Sequence, residues 1–257
     1  HLSSGKHHVG ASGLVSFNDP CLFLQILCFH HFRQHCIRFE FDITIEPCQR
    51  MGPGTSQKTK RLDMIRLIFE IAFMIFWISM FIIRYPHAQK NKSNTIQKDR
   101  KTNEEKILLA ITSLGMLLLP VLYVITPFLD FANYHLPNAM GILGMVLLSP
   151  ASILFYRSHR DLGRNWSASL EIREEHSLVV SGVYKHMRHP MYTAIWIWVI
   201  CQALLLQNYI AGLSGIISFG LLYFLRVGKE ERMMKVQFGE QYVSYTKSTK
   251  RLIPNLF

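Results

Sequence analysis

Charge is missing from long stretches of this 257-residue chain. Pro190–Leu225 contains no Asp, Glu, Lys or Arg over 36 residues, Ile107–Leu129 none over 23, and Pro137–Tyr156 none over 20. A bilayer core of about 30 Å is crossed by roughly 20 apolar residues in helix. The averages, 49% hydrophobic and 18% charged, would suit a soluble protein, but this distribution does not. A soluble globule, an all-β fold and a disordered chain are excluded as whole-chain readings. The expected fold class is all-α: a polytopic membrane protein with about five transmembrane helices.

Cysteine is scarce beyond the first fifty residues, where only Cys201 remains. Disulfides therefore play no part there, and Cys201, inside a span, reads as packing. Residues 1–50 hold the other four cysteines and six of the twelve histidines, and the first Met is Met51. No C-x-x-C occurs, and Cys28, His30, His31, His35 and Cys36 match no known ligand spacing. No metal is expected. Residues 1–50 are read as a mis-set start, upstream sequence translated in frame, with the membrane domain covering 51–257. The apolar patch Cys21–Phe29 is shorter than a span and lacks the charged and small-residue flanks of a signal peptide.

Acidic residues are also outnumbered, 17 against 28 basic, for a formal charge of +11. No RNP, zinc-finger or helix-turn-helix pattern accompanies this excess, so nucleic acid is not an expected partner. The spans are read as Met64–Ile83, Ile107–Leu129, Pro137–Tyr156 and a helical hairpin, spans four and five, turning at Gln207, Asn208 and Tyr209. At 1.5 Å per residue the last apolar run would be about 54 Å as one helix, too long for one crossing. Lys and Arg in the successive connections and the tail number 7, 0, 6, 0 and 7. The positive-inside rule then places the first and third connections and the C-terminus in the cytoplasm.

Polar residues gather at two helix ends that the hairpin brings to one face. The first is the run from His176 to Tyr192, entering span four, with Pro190 suited to the first helical position. Backbone N–H groups at such a helix start suit an anion. The second runs from Arg226 to Arg232, leaving span five. Arg226 and Glu230 are one turn apart and share a face; Glu231 is rotated about 100° away and is expected to matter less. Taken singly, these residues have plainer readings: Pro190 as a cap, Arg188 and Arg226 as topology charges, Trp196 and Trp198 as packing, Glu230 and Glu231 as a solvated helix end, and Asn103-Glu-Glu-Lys106 as a solvated loop.

The run Leu178-Val-Val-Ser-Gly-Val-Tyr-Lys-His-Met-Arg-His-Pro-Met-Tyr192 resembles the signature of the isoprenylcysteine carboxyl methyltransferase family. Glu230-Glu231, Phe238-Gly-Glu-Gln-Tyr242, Tyr245 and Arg251-Leu-Ile-Pro254 resemble its tail, and Leu162-Gly-Arg-Asn-Trp-Ser167 resembles its shorter microbial members. The likeness covers about Ser158–Pro254, and Ala194 stands where the family often has Gly. It implies S-adenosylmethionine as cofactor, held in the part 158–254 by His176, Ser177, Leu178, Val179, Tyr184, His189, Pro190, Met191, Tyr192 and Glu230. It implies Arg226 as the catalytic residue that holds the substrate carboxylate.

The expected function is methylation of a lipophilic, prenylcysteine-like carboxylate, with a lipidated cysteine or lipophilic small molecule and membrane lipid as partners. The expected location is the bacterial inner membrane or the endoplasmic reticulum, with the site facing the cytoplasm. Rivals are a phospholipid amine methyltransferase, an NADPH-dependent sterol-type reductase and a non-catalytic scaffold.

Overall fold

A computed structural model describes residues 53–92, 96–99, 103–163, 171–173 and 177–254. They all lie in one unit, Cys48–Phe257. The readings for residues 1–50, for His176 and for most of Leu162–Ser167 fall outside the described residues.

The first helix, α1 (Pro53–Lys92), is apolar on all sides through its middle. Phe69, Phe73, Phe76 and Met80 recur at three- and four-residue steps and are buried, while Ile71, Ile75, Ile78 and Ile82 on the other faces are exposed. A soluble helix would carry polar residues on that outer face; an apolar one is solvated by lipid. Helix α2 (Asn103–Ser113) runs through a π-turn (Leu114–Leu118) into α3 (Leu119–Ile125). Pro120 accounts for the irregularity, because its ring would strike the carbonyl of Met116 in a regular helix and it offers no N–H. The second span is as long as expected but begins and ends four residues earlier, at Asn103 and Ile125. Pro127 holds Thr126 extended (φ −137°, ψ 153°), so the helix stops at Ile125 and a 3-10 turn (Pro127–Ala132) follows.

Helix α4 (Asn138–Leu162) packs along α5 (Pro190–Leu206) more extensively than any other pair of elements. Helix α6 (Ser214–Phe238) closes the hairpin, and α7 (Glu240–Ser248) follows a kink at Gly239. Three described helical stretches are long and apolar enough to cross a membrane: Met64–Gln89, Asn103–Ile125 and Asn138–Leu162. Pro190–Leu206 is a shorter apolar helix of 17 residues. The last expected span falls on the uncharged first half of α6, which is not among these stretches. The all-α reading holds, with one addition: strands β1 (Ile96–Asp99) and β2 (Glu171–Arg173) form a small antiparallel ribbon.

The hairpin turn sits where expected, and its chemistry explains why. Gln207 takes the left-handed conformation (φ 46°) that ends α5. Asn208 is fully buried, and each polar atom of its side chain is used. Its Nδ2 donates to Leu129 O (2.7 Å) and Asn133 Oδ1 (2.9 Å), and its Oδ1 accepts from the N–H groups of Ile210 (3.0 Å) and Ala211 (2.9 Å). Asn208→Ala should therefore destabilise the fold by roughly 3 kcal/mol, since buried polar groups on both sides lose their partners. The check is a lower thermal midpoint in detergent, with ligand affinity of the remaining folded protein unchanged.

Small residues let the helices approach closely, as in membrane interfaces generally. A Cβ on Gly215 would lie 2.7 Å from Gln202 Oε1. That closeness lets Gln202, fully buried on α5, donate to the carbonyls of Gly115 (3.0 Å) and Ala211 (2.7 Å). Gln202 thereby ties the π-turn to the hairpin.

Candidate active site

Pro190 opens α5, as expected, and His189 precedes it in a non-helical conformation (φ −126°, ψ 59°). The chain end braces this corner. Arg188 and His189 donate their backbone N–H groups to the carbonyls of Lys250 (2.8 Å) and Arg251 (2.9 Å), and Thr193 Oγ1 donates to Leu252 O (2.8 Å). The His189 N–H is therefore used internally. Upstream, Gly182 has φ 61°, and a Cβ there would meet Asp161 Oδ2 at 2.1 Å. Glycine is thus required by both conformation and space. Asp161 in turn accepts from the Val183 N–H (3.0 Å), which fixes the turn carrying Tyr184.

A cavity of about 490 Å³ lies against these elements. Ser177, Leu178, Val179, Tyr184, His189, Met191, Tyr192, Arg226 and Glu230, all singled out in the sequence, line it. Pro190 does not; it is buried, and its part is to start the helix.

Inside the cavity, Tyr192 Oη donates to Glu230 Oε2 at 2.5 Å, and the His189 and Tyr192 rings stack at 5.3 Å. His189 stands between two carboxylates, with Nδ1 3.9 Å from Glu230 Oε1 and Nε2 3.5 Å from Glu231 Oε1. Arg226 is 8% exposed, with Nη2 3.6 Å from Glu105 Oε1. Glu230 and the Tyr192 hydroxyl also act on it electrostatically.

Glu231 departs from the sequence reading. It does not end the helix in solvent but is 7% exposed beneath the site. Arg188 donates to its Oε1 through Nε (3.2 Å) and Nη2 (3.1 Å). Arg251 donates to Oε1 through Nε (3.0 Å) and to Oε2 through Nη2 (2.6 Å). Burial alone would raise the Glu231 carboxyl; the nearby His189 ring and the hydrogen bonds and charge of Arg251 outweigh it and hold the group well below the usual carboxylate range. Arg188 reaches on to the carbonyls of Thr246 (3.3 Å) and Thr249. Burial pushes the Tyr245 hydroxyl up to about 12, so it stays protonated and donates to Tyr184 O.

Asn103-Glu-Glu-Lys106 also differs from the expectation: it is the first turn of α2, and Glu105 is 5% exposed. Its position just ahead of an uncharged run was the available signal, because a carboxylate at that depth needs a cation. Trp198 is packed edge-on against Phe76 at 5.6 Å, as expected of packing, yet it also lines the cavity. Arg84 of α1 lines it too.

The structure thus describes a helical protein of membrane type, with a charged cavity at one end of its central hairpin. Residues 142–236 match the model of the isoprenylcysteine carboxyl methyltransferase (ICMT) family, so the resemblance read from the motifs is borne out over that segment. Protein-S-isoprenylcysteine O-methyltransferase B of Arabidopsis thaliana is 33% identical over 117 residues, covering 45% of this chain and 56% of that protein. The protein-S-isoprenylcysteine O-methyltransferase of Dictyostelium discoideum is 34% identical over 90 residues, covering 34% of this chain and 36% of that one. The chain thus spans about half the length of the plant relative and about a third of the other. A solved structure of a eukaryotic intramembrane Ras methyltransferase ICMT aligns with 92% of this chain and 85% of its own, at 16% identity and a TM-score of 0.47.

Proposed function

We propose that this protein is an integral-membrane methyltransferase that uses S-adenosylmethionine to esterify the carboxylate of a lipophilic, prenylcysteine-like substrate. The observation that carries this is the placement of Arg226 and Glu230, one helical turn apart, in the cavity that also holds His189 and Tyr192. The family match and the names of the relatives support the same reading.

The cavity's chemistry fits the cofactor. Its volume falls within the range of roughly 300–1,000 Å³ typical of small-molecule sites. Glu230, held by Tyr192, suits a cationic amino-acid end, and Leu178, Val179 and Met191 supply apolar walls. These residues, with Ser177, Tyr184, His189 and, outside the described residues, His176, would hold it; Pro190 would act by setting the start of α5. Bound S-adenosylmethionine supplies an electrophilic methyl group on a sulfonium.

A carboxylate has an ordinary pKa near ~4 and is already ionised, so no side chain need remove a proton. The protein's contribution is to align the oxygen and strip part of its water. A guanidinium suits this because its planar fork holds both carboxylate oxygens. Arg226 lies where the uncharged half of α6 gives way to charge, so a lipid tail can stay among apolar helices while its carboxylate reaches the cavity. The 7, 0, 6, 0, 7 distribution of Lys and Arg supports a site facing the cytoplasm.

The test is methyl transfer from labelled S-adenosylmethionine in membranes bearing the full chain, with a farnesylated cysteine, fatty acids and phosphatidylethanolamine offered side by side. Base-labile label on the farnesylated cysteine is expected. Base-stable label on the lipid amine would replace this reading with the amine methyltransferase. In parallel, Glu230→Gln should weaken S-adenosylhomocysteine binding at least ten-fold by calorimetry. Tyr192→Phe, which removes the hydroxyl that holds Glu230, should weaken it less.

A further inference from the structure

We infer that Arg84 is a second carboxylate-binding residue, forming with Arg226 a two-guanidinium clamp that distinguishes the acidic substrate from its neutral ester product. The inference rests on the carboxyl methyl-transfer reading above and goes beyond it in assigning a residue of α1, outside the family-matched segment, to the substrate.

Three observations lead to it. Arg84 and Arg226 come from helices remote in sequence yet line the same cavity. Met80 and Phe81, one turn earlier on α1, line that cavity as well. The side of α1 that carries Arg84 is therefore the cavity side, which a charge serving only topology would not require. The two guanidinium groups also repel one another. Repulsion across a cavity is relieved by an anion placed between the cations, and in a site walled by apolar helices it is poorly screened.

A carboxylate has two oxygens with about four acceptor positions, enough for two guanidinium donors. One arginine can orient it; two add a dependence on charge. Methylation removes the negative charge and one oxygen's capacity to accept from a cation. The ester then leaves two like charges facing one another, so the clamp favours release of product. Glu105, which pairs with Arg226 across from α2, offsets part of the repulsion and keeps the site assembled between substrates.

The test measures calorimetric binding of N-acetyl-S-farnesylcysteine and of its methyl ester to the full chain in detergent. Wild type should prefer the acid by at least thirty-fold. Arg84→Gln and Arg84→Leu should narrow that ratio ten-fold or more through weaker acid binding alone. The ester and S-adenosylhomocysteine should bind each variant within about three-fold of wild type, which also reports that the cavity has folded. Leu suits α1 in lipid and serves if Gln does not insert. If neither inserts, Arg84→Lys is read instead: the ratio should fall at least three-fold because the fork is lost. An unchanged ratio in the variant read, or no acid preference in wild type, overturns the clamp. Methyl transfer by wild type with the ratio intact in Arg84→Leu would remove the clamp and leave the enzymatic reading standing. A narrowed ratio without methyl transfer to any carboxylate would support the clamp and remove that reading.

Discussion

Arg226→Lys should lose about ten- to a hundred-fold in methyl transfer at saturating substrate while keeping cofactor affinity within a few-fold. The expected size follows from the roughly 1.5–3 kcal/mol attached to a hydrogen bond with an ionised group, converted to rate. The structure strengthens the choice of Lys over Ala. Arg226 is buried and faces Glu105 at 3.6 Å, so removing its charge would strand a buried carboxylate and confuse catalysis with folding. Lys keeps that charge but not the planar fork. If Arg226 were only a topology charge, Lys would be silent, since both count equally for orientation. Wild-type turnover in Arg226→Lys would remove the carboxylate reading and leave the amine methyltransferase ahead. Turnover and S-adenosylhomocysteine binding, measured side by side, separate these outcomes.

Glu231→Ala should abolish cofactor binding and turnover together, an outcome opposite to the mild effect its position on the helix suggested. Its carboxylate gathers Arg188 from the start of α5 and Arg251 from the chain end, and approaches His189. Removing it leaves cations crowded beneath the cavity with no counter-charge. Breaking a buried pair from one side typically costs about 3–5 kcal/mol, so the thermal midpoint should also fall clearly. Glu231→Asp, which keeps the charge on a shorter stem, should retain part of both properties. An alanine variant that binds S-adenosylhomocysteine like wild type would show the cluster to be dispensable.

The pH dependence has a definite sign. The folded carboxyl is held below its unfolded value. Its contribution is therefore complete above the usual carboxylate range and is lost progressively as pH falls from that range through the folded value. Between about pH 6 and 8, well above the unfolded value near ~4.3, the Glu231 carboxyl should add no slope to the thermal midpoint.

Much of this protein was legible in its sequence because a membrane makes one demand of every residue at once. Uncharged runs of 20 to 36 residues admit only helices, so the fold class and the turn at Gln207–Tyr209 could be read directly. The cavity-lining run Ser177–Val179, Tyr184, His189, Met191 and Tyr192 was legible through its resemblance to the family signature; the structure adds that Gly182 turns against Asp161 and that Pro190 starts α5. Helical spacing put Arg226 and Glu230 on one face, and the resemblance to the family supplied their roles. What spacing cannot convey is which side of a helix meets another helix. Glu231 lies one residue from Glu230, and only the position of α5 and of the chain end decided that it would be enclosed by Arg188 and Arg251. Glu105 read as part of a solvated loop and Arg84 as one basic residue of a connection, until the structure brought both toward the cavity and Arg226. Periodicity determined the elements and one face of the site; the remaining members depend on tertiary packing, which joins Glu231 to residues 20 and 43 positions away and Arg226 to one more than a hundred away.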